Sequence, residues 1–509
     1  MRRHPLPAAF AATLCLSVTA ASATKPSDTG HFLFLSPSGN DDSGSGTSAN
    51  PFRTLGRASK VAGPGSVITF GGGIYPKSEE RVTLVGAPGR PVTLRAAGGE
   101  HPILDGDGVG KRLEVEAEDK TAVFSILTLI DSRHVVVEGL EIRNSVGKGI
   151  HIWNSEHVTV RRNKVHHTWS GGISAMGDHL TFEDNEVSEA SLMNKDDLVL
   201  KQRERGNTTY WAGGVGTWRH QDGSLSKDIL WRRNRVHHVW GEGIGILHAD
   251  GVRVEENVVH DCYSVLIYLD HSRNVVIDRN FLFNSAPAFL RIDEKVLPTG
   301  IGIASEFYQS AVPTAVEHVL ISNNILSSVG VGIYFWADPA NRHATNRYGD
   351  VTIAHNLIHN PYVIPVSFRK FGPGAVSLPV GHVNSFSNNI VTRPTLTSDP
   401  SGRLEILRFE TPSIWKVTGN VLPPEGQADL EGAERSANSN FSETGGNRFD
   451  SNRIQFQDGH ALGPLGASGF RVAKSKTQSI PGPVKRHPAV PMDFFAKRRP
   501  ELTVPGPIE

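Results

Sequence analysis

An asparagine recurs through the middle of this chain, and its neighbours recur with it. Take Asn163, Asn185, Asn234, Asn257, Asn280, Asn324, Asn356 and Asn389 as reference points. An apolar residue stands three places before each: Val160, Phe182, Trp231, Val254, Ile277, Ile321, Ile353 and Phe386. Five places before stand Val158, Leu180, Ile229, Val252, Val275, Val319 and Val351, and Asn384 breaks this column in the last repeat. Two places after stand Val165, Val187, Val236, Val259, Leu282, Leu326, Ile358 and Val391. Spacing of two is strand alternation. The shortest intervals, such as 163 to 185 and 234 to 257, are 22 or 23 residues, which suits one coil of three short strands. The pattern predicts an all-β fold, a right-handed parallel β-helix, with the apolar columns stacked inside.

The asparagine has a physical reason. A bend between strands needs a residue that tolerates the left-handed region, and Asn tolerates it better than most. Coils stack about 4.8 Å apart, so equivalent amides can form a ladder. A solenoid also suits a chain with 52 glycines and only 7% aromatic residues, because it extends one narrow core without widening it.

The ends differ from the repeat. Arg2, Arg3 and His4, an apolar run from Leu6 to Ala21, and Ala21-Ser22-Ala23 read as a signal peptide over residues 1–23. Leu14 before Cys15 does not fit a lipoprotein cleavage site. Residues 24–125 read as an N-terminal cap and first coils, with a strand and a turn over Phe32–Asn40 and a short helix near Pro51–Ala58. Residues 126–395 form the helical core, and 396–509 hold a last coil around Trp415–Asn420 and a tail along the outside. The expected location is secreted or periplasmic. No later segment is apolar enough to anchor in a membrane. Without residues 1–23 the chain carries 50 basic and 52 acidic side chains, so nothing favours nucleic acid or an anionic membrane. Cys262 alone remains, and it reads as a buried structural thiol.

About ten places after each Asn a Gly-Ile pair opens another strand. Its first outward column reads His151, Ser174, Gly216, Gly245, Tyr268, Gly302, Tyr334 and Ser367. The second reads Trp153, Met176, Trp218, Leu247, Asp270, Ala304, Trp336 and Arg369. The turn after it begins Asn154, Gly177, Arg219, His248, His271, Ser305, Ala337 and Lys370. The glycines fit close approach of a ligand or of an inserted loop. Trp153, Trp218 and Trp336 fit sugar stacking or loop packing. Tyr268, Asp270, His248, His271 and Glu306 form a titratable cluster, either catalytic or a polar coil edge. A further column, His166, His237, His260 and His359, reads as structural stacking, with Glu242 and Asp261 beside it. The excursions holding Lys195–Arg203 and Arg291–Lys295 are groove walls or solvated loops.

Three segments carry a family resemblance. They are Leu35-Ser36-Pro37-Ser38-Gly39-Asn40 with Pro51-Phe52-Arg53-Thr54-Leu55, Gly300-Ile301-Gly302-Ile303-Ala304-Ser305-Glu306, and Asp493-Phe494-Phe495 with Arg498-Arg499-Pro500. On these the chain resembles the secreted bacterial right-handed β-helix proteins of the pectate-lyase-like superfamily. That group includes polysaccharide lyases, glycoside hydrolases, uronate epimerases and phage tailspikes. The chain has no Asp-Pro-His-Asp motif of alginate epimerases. It also has no aspartate set like that of polygalacturonases or of calcium-dependent pectate lyases. The resemblance implies a polysaccharide partner. It leaves the reaction, the oligomeric state and the metal open, calcium included.

The leading expectation is a lyase cleaving an acidic, uronate-containing glycan. β-Elimination needs a cation for the uronate carboxylate and a base for the C5 proton. Arg219, Arg291 and Lys295 are candidates for the first role, and His248, His271 or Tyr268 for the second. Trp153, Trp218, Tyr268 and Trp336 would bind sugar. The alternatives are a glycoside hydrolase using Asp270 and Glu306 as its carboxyl pair, or a glycan-binding surface protein that needs only the aromatic column.

Overall fold

The computed structural model describes residues 31–76, 78–107, 124–197, 213–285, 297–306, 315–337, 348–368, 383–396, 402–409, 414–434, 441–451, 484–503 and 505–507. The signal segment and the loop residues Lys201, Arg291 and Lys295 lie outside them.

Each coil carries three strands, and each strand pairs in parallel with its counterpart in the next coil. One coil runs through Glu242–Leu247, Ala249–Glu255 and Val258–Cys262, and the next through Val265–Asp270, Arg273–Asp278 and Phe281–Phe283. The apolar columns set the register. Val160 pairs with Phe182, Phe182 with Trp231, and the series continues through Val254, Ile277, Ile321 and Ile353 to Phe386. All are fully buried. Phe182 and Trp231 stack at 3.9 Å. Burying a side chain of this size contributes roughly 1.5–3 kcal/mol. Strand Trp415–Thr418 adds the expected further coil. Asn384, which interrupts the valine column, is buried there and accepts the Val351 amide at 3.0 Å.

The asparagine ladder is continuous from Asn163 to Asn447. At each step one Oδ1 accepts both the main-chain N–H and the Nδ2 of the Asn in the preceding coil, as Asn280 does for Asn257 at 3.0 Å. The same Nδ2 groups also donate to a main-chain carbonyl, Val254 in the case of Asn280. The left-handed residue is not the ladder Asn but the one before it: Arg162, Asp184, Arg233, Glu256, Arg279, Asn323, His355 and Asn388. Asn is therefore selected for its buried amide, and its predecessor carries the bend.

At the N-terminus, helix Leu55–Ser59 buries Leu55 and Ala58 against the first coils. Thr54 caps it, and the Glu80 carboxylate accepts the Leu55 and Gly56 amides at 3.0 and 2.9 Å. At the other end, the Asp493–Arg499 segment straps the left-handed turns. Buried Arg499 donates to Asn323 Oδ1 at 2.9 Å and to the Gly506 carbonyl at 2.8 Å. Asn388 donates to the Lys485 carbonyl at 2.9 Å. Cys262 is free and buried in the core, as its place in the repeat predicts.

Candidate functional site

The outward columns of the Gly-Ile strands hold the expected register. Trp153 pairs with Met176, Leu247 with Asp270, Asp270 with Ala304 and Ala304 with Trp336. In the first column His151 pairs with Ser174, and Gly216, Gly245, Tyr268, Gly302, Tyr334 and Ser367 follow. The column also runs backward, through Thr128 to Arg81.

Glu306 is the centre of the middle coils. It follows strand Thr299–Ser305, and three side chains from one segment of the neighbouring coil grip it. The Tyr268 hydroxyl donates to its carboxylate. Asp270 Oδ1 accepts its main-chain N–H at 3.2 Å. His271 Nε2 donates to its carbonyl at 2.6 Å, which assigns the proton to that nitrogen. Strand Val265–Asp270 points Tyr268 and Asp270 outward by alternation, and His271 takes the left-handed conformation at the following turn. Gly302 leaves room for the Tyr268 ring: a Cβ there would lie 3.1 Å from Tyr268 and 2.9 Å from Tyr334.

Glu242 completes an acidic group. Burial raises its pKa well above the carboxylate range, and the charges of Glu306 and Asp270 add to the effect. Its carboxylate lies over Gly245, 3.1 Å from where a Cβ would stand. His248 stacks on His271 at 5.1 Å and meets Trp218 edge-on at 4.8 Å. Burial lowers its pKa to about 3, helped by His271 and Arg219. The Arg219 guanidinium lies 5.6 Å over the Trp218 ring.

The structure thus brings Asp270, His271, Glu306 and Tyr268 together, with His248, Trp218 and Arg219 beside them. Trp336 packs against Val265, Tyr268 and Ala304. Trp153 stands apart, four strand pairings from Asp270, edge-on to His151 at 5.0 Å. This face is not the open surface that the column pattern suggested. Tyr268, His248, Asp270 and His271 are buried, and Trp153, Trp218 and Trp336 are half-buried. Sequence reasoning placed Glu242 at an edge and passed over Lys148 and Arg81. Carrying the first outward column back one period from His151 reaches Thr128, and only the pairing of Glu80–Val82 with the strand that follows places Arg81 in it.

The histidine column stacks as expected. His237 lies on His260 at 4.9 Å, and His260 on Phe283 at 4.5 Å. At the same corner His238, His260 and Asp261 offer one ligand atom each, all within 4.8 Å of one another. Two imidazoles and a carboxylate suit a transition ion such as zinc better than calcium, which prefers oxygen throughout.

Comparison with known proteins follows the same outline. Residues 33–207 match the model for the Pel9A-like right-handed β-helix region, and residues 191–362 match that for the right-handed β-helix region. Uncharacterized protein YwoF of Bacillus subtilis (strain 168) is 27% identical over 210 residues, covering 36% of this chain and 41% of that protein. Pectate lyase PEL9 of Emericella nidulans is 28% identical over 215 residues, covering 40% and 51%. The chain thus spans about half the length, or less, of these curated relatives. The crystal structure of pectate lyase Pel9A overlays with a TM-score of 0.42 at 14% identity, covering 77% of this chain and 80% of that one. By its stacked coils and the two family-model matches, the chain is a right-handed parallel β-helix protein, similar to members of the pectate-lyase-like superfamily.

Proposed function

We propose that this protein degrades a polysaccharide and that Glu306 and Tyr268 carry the reaction, a β-elimination on a uronate-containing glycan. The observation behind this reading is the three-point grip on Glu306 by Tyr268, Asp270 and His271. Glu306 takes the C5 proton, and the C4–O bond breaks as the C4–C5 double bond forms. The leaving oxygen receives the Tyr268 proton. Glu306 then returns a proton to Tyr268 through their hydrogen bond. Asp270 and His271 act as positioning residues, because they hold the main chain of Glu306 and not its carboxylate. Such preorganisation keeps base and acid aligned without cost at the moment of reaction. Arg219, stacked on Trp218, supplies a cation for the uronate carboxylate. Similarity to a curated pectate lyase supports a lyase on an acidic glycan.

A second reading is glycoside hydrolysis, and Glu242 favours it. A carboxyl group whose pKa burial raises well above the carboxylate range, beside two other carboxylates, is the pairing that glycosidases use as acid and base. The test is a panel of acidic and neutral polysaccharides, read for unsaturated-product absorbance and for new reducing ends. The lyase reading expects both signals on a uronate glycan. Reducing ends alone would replace it with the hydrolase, and neither signal on any glycan would remove both. The reading includes export by the segment 1–23, which cell fractionation tests.

A further inference from the structure

The outward face changes character along its length. Its middle coils carry the acidic group around Glu306, and its N-terminal coils carry cations. Arg81, Thr128 and His151 follow one another in the first outward column. Lys148 opens the strand that holds His151 and pairs with Ser125. Neither Arg81 nor Lys148 forms an ion pair among the described residues. Between the two ends the face narrows to Ser174, Gly216 and Gly245 in one column, with Gly171 and Gly213 beside it. Apart from Glu242 and Leu247, which reach over Gly245, that floor is made of small residues, and Trp153, Met176 and Trp218 border it.

His151 is the group that asks for a ligand. It is 1% exposed, and neither ring nitrogen has a hydrogen-bond partner among the described residues. A buried polar group is nearly always paired, and leaving one unpaired is costly. Trp153 meets the ring edge-on at 5.0 Å and offers it no acceptor. Burial, then the charges of Lys148 and Arg81, lower the His151 pKa to about 2, so the ring is neutral and keeps one N–H to donate. Burial alone lowers Lys148 to about 8. The neighbouring strands add uncharged hydroxyls, Ser125 and Thr128 on one side and Ser174 on the other. A neutral donor beside two unpaired cations is the arrangement an oxyanion completes.

We propose that Lys148, His151 and Arg81 form an anion-binding subsite, which holds a negatively charged group on a sugar residue while the same chain runs along the small-residue floor to Glu306. His151 lies four strand pairings from Tyr268, or about 19 Å at the usual strand spacing, so the sugar it holds is several residues from the one being cut. The inference rests on the reading that this face takes a glycan. It goes beyond that reading in assigning recognition to coils distant from the chemistry. The shared ligand chemistry is a sugar oxyanion, either a uronate carboxylate or a sulfate ester.

The test is calorimetric binding of three oligosaccharides of matched length to the full chain: an oligogalacturonate, a sulfated galactan oligomer and a neutral cello-oligosaccharide. The expected result is that one anionic probe binds at least tenfold more tightly than the neutral one, and which of the two does so identifies the oxyanion. Lys148→Gln should weaken that probe about tenfold and leave the neutral probe unchanged. A structural lysine would not produce the accompanying pH signature. Wild-type affinity for the anionic probe should fall as the pH passes 8, whereas Lys148→Arg should hold it level to pH 9.5. The subsite is overturned if Lys148→Gln binds the anionic probes as wild type does, or if neutral and anionic probes weaken together. If no probe binds and no glycan is cut, the underlying glycan reading fails instead. A protein that cuts glycans with Lys148→Gln unaffected loses only the subsite.

Discussion

The asparagine turn and the outward face of the Gly-Ile strands are stacked by the same coils, yet they behave in opposite ways. At the turn every coil repeats one residue, so each amide finds its acceptor in its neighbour, and the donors at Asn257, Asn280 and Asn324 are all satisfied. On the outward face the residue changes at nearly every coil, from Arg81 to His151 to Gly245 to Tyr268. Unlike neighbours cannot satisfy one another by stacking, so carboxyl groups crowd in the middle and an imidazole is left unpaired near the N-terminal end. A solenoid makes repetition stabilising and variation available for chemistry.

The sharpest way to break this contrast is at Glu306. Glu306→Gln keeps a hydrogen-bond acceptor for Tyr268 but removes the base. Turnover on the glycan identified by the panel should fall about 10²–10⁴-fold, with the melting temperature nearly unchanged. Full activity in that variant would mean that the variable face is as structural as the ladder.

The next effect is on stability and should run the other way. Asn280→Ala strips the Asn257 main-chain N–H and Nδ2 of their shared acceptor and the Val254 carbonyl of its donor. Each buried group left unsatisfied costs about 1–3 kcal/mol, so a loss of several kcal/mol is expected in chemical denaturation. Ser174→Ala on the outward face should change stability by less than about 0.5 kcal/mol. Equal losses at both positions would erase the distinction.

The last effect appears only when the pH is lowered. His151 and His355 have pKa values lowered to about 2 and His248 to about 3, burial being the largest cause in each. Unfolded, each takes up a proton near pH 6.5, whereas folded it stays neutral. The unfolded state therefore binds more protons below pH 6.5, and stability falls as the pH drops from 6.5 toward 3. Each such group contributes up to about 1.4 kcal/mol per pH unit in that window. The ladder amides do not titrate. His355→Gln, at the contact between His355 and the C-terminal strap, should flatten the acid limb of a stability–pH curve by about one proton. An unchanged slope would show that His355 does not stay neutral in the fold.

Much of the fold was legible because a solenoid writes its period directly into the chain. The inward columns, the Asn ladder and the pairing of Trp153 with Met176 or of Asp270 with Ala304 all follow from counting residues, since strand alternation and coil length are local properties. Even Cys262 could be placed by its neighbours in the repeat. The bend was misassigned by one position, because tolerance for the left-handed region and the need for a buried amide both point to Asn. Only the folded backbone separates them, with positive φ at Arg162 and Arg279 and not at the residues after them.

The site was legible in its membership but not in its arrangement. Tyr268, Asp270, His271 and Glu306 could be named from the columns. That all three neighbours converge on Glu306, two of them through its main chain, depends on how far a side chain reaches across to the next coil. The burial of Asp270 and the raised pKa of Glu242 depend on everything packed around them, which no single repeat contains. Arg81 was missed because the spacing between the first coils is irregular, and Lys148 because it opens its strand ahead of the columns that begin at His151. Sequence alone determined which residues stack, because stacking follows from a short repeat. Tertiary structure decided which of them meet and which lose their water, because reach and desolvation depend on chain segments far apart in the sequence.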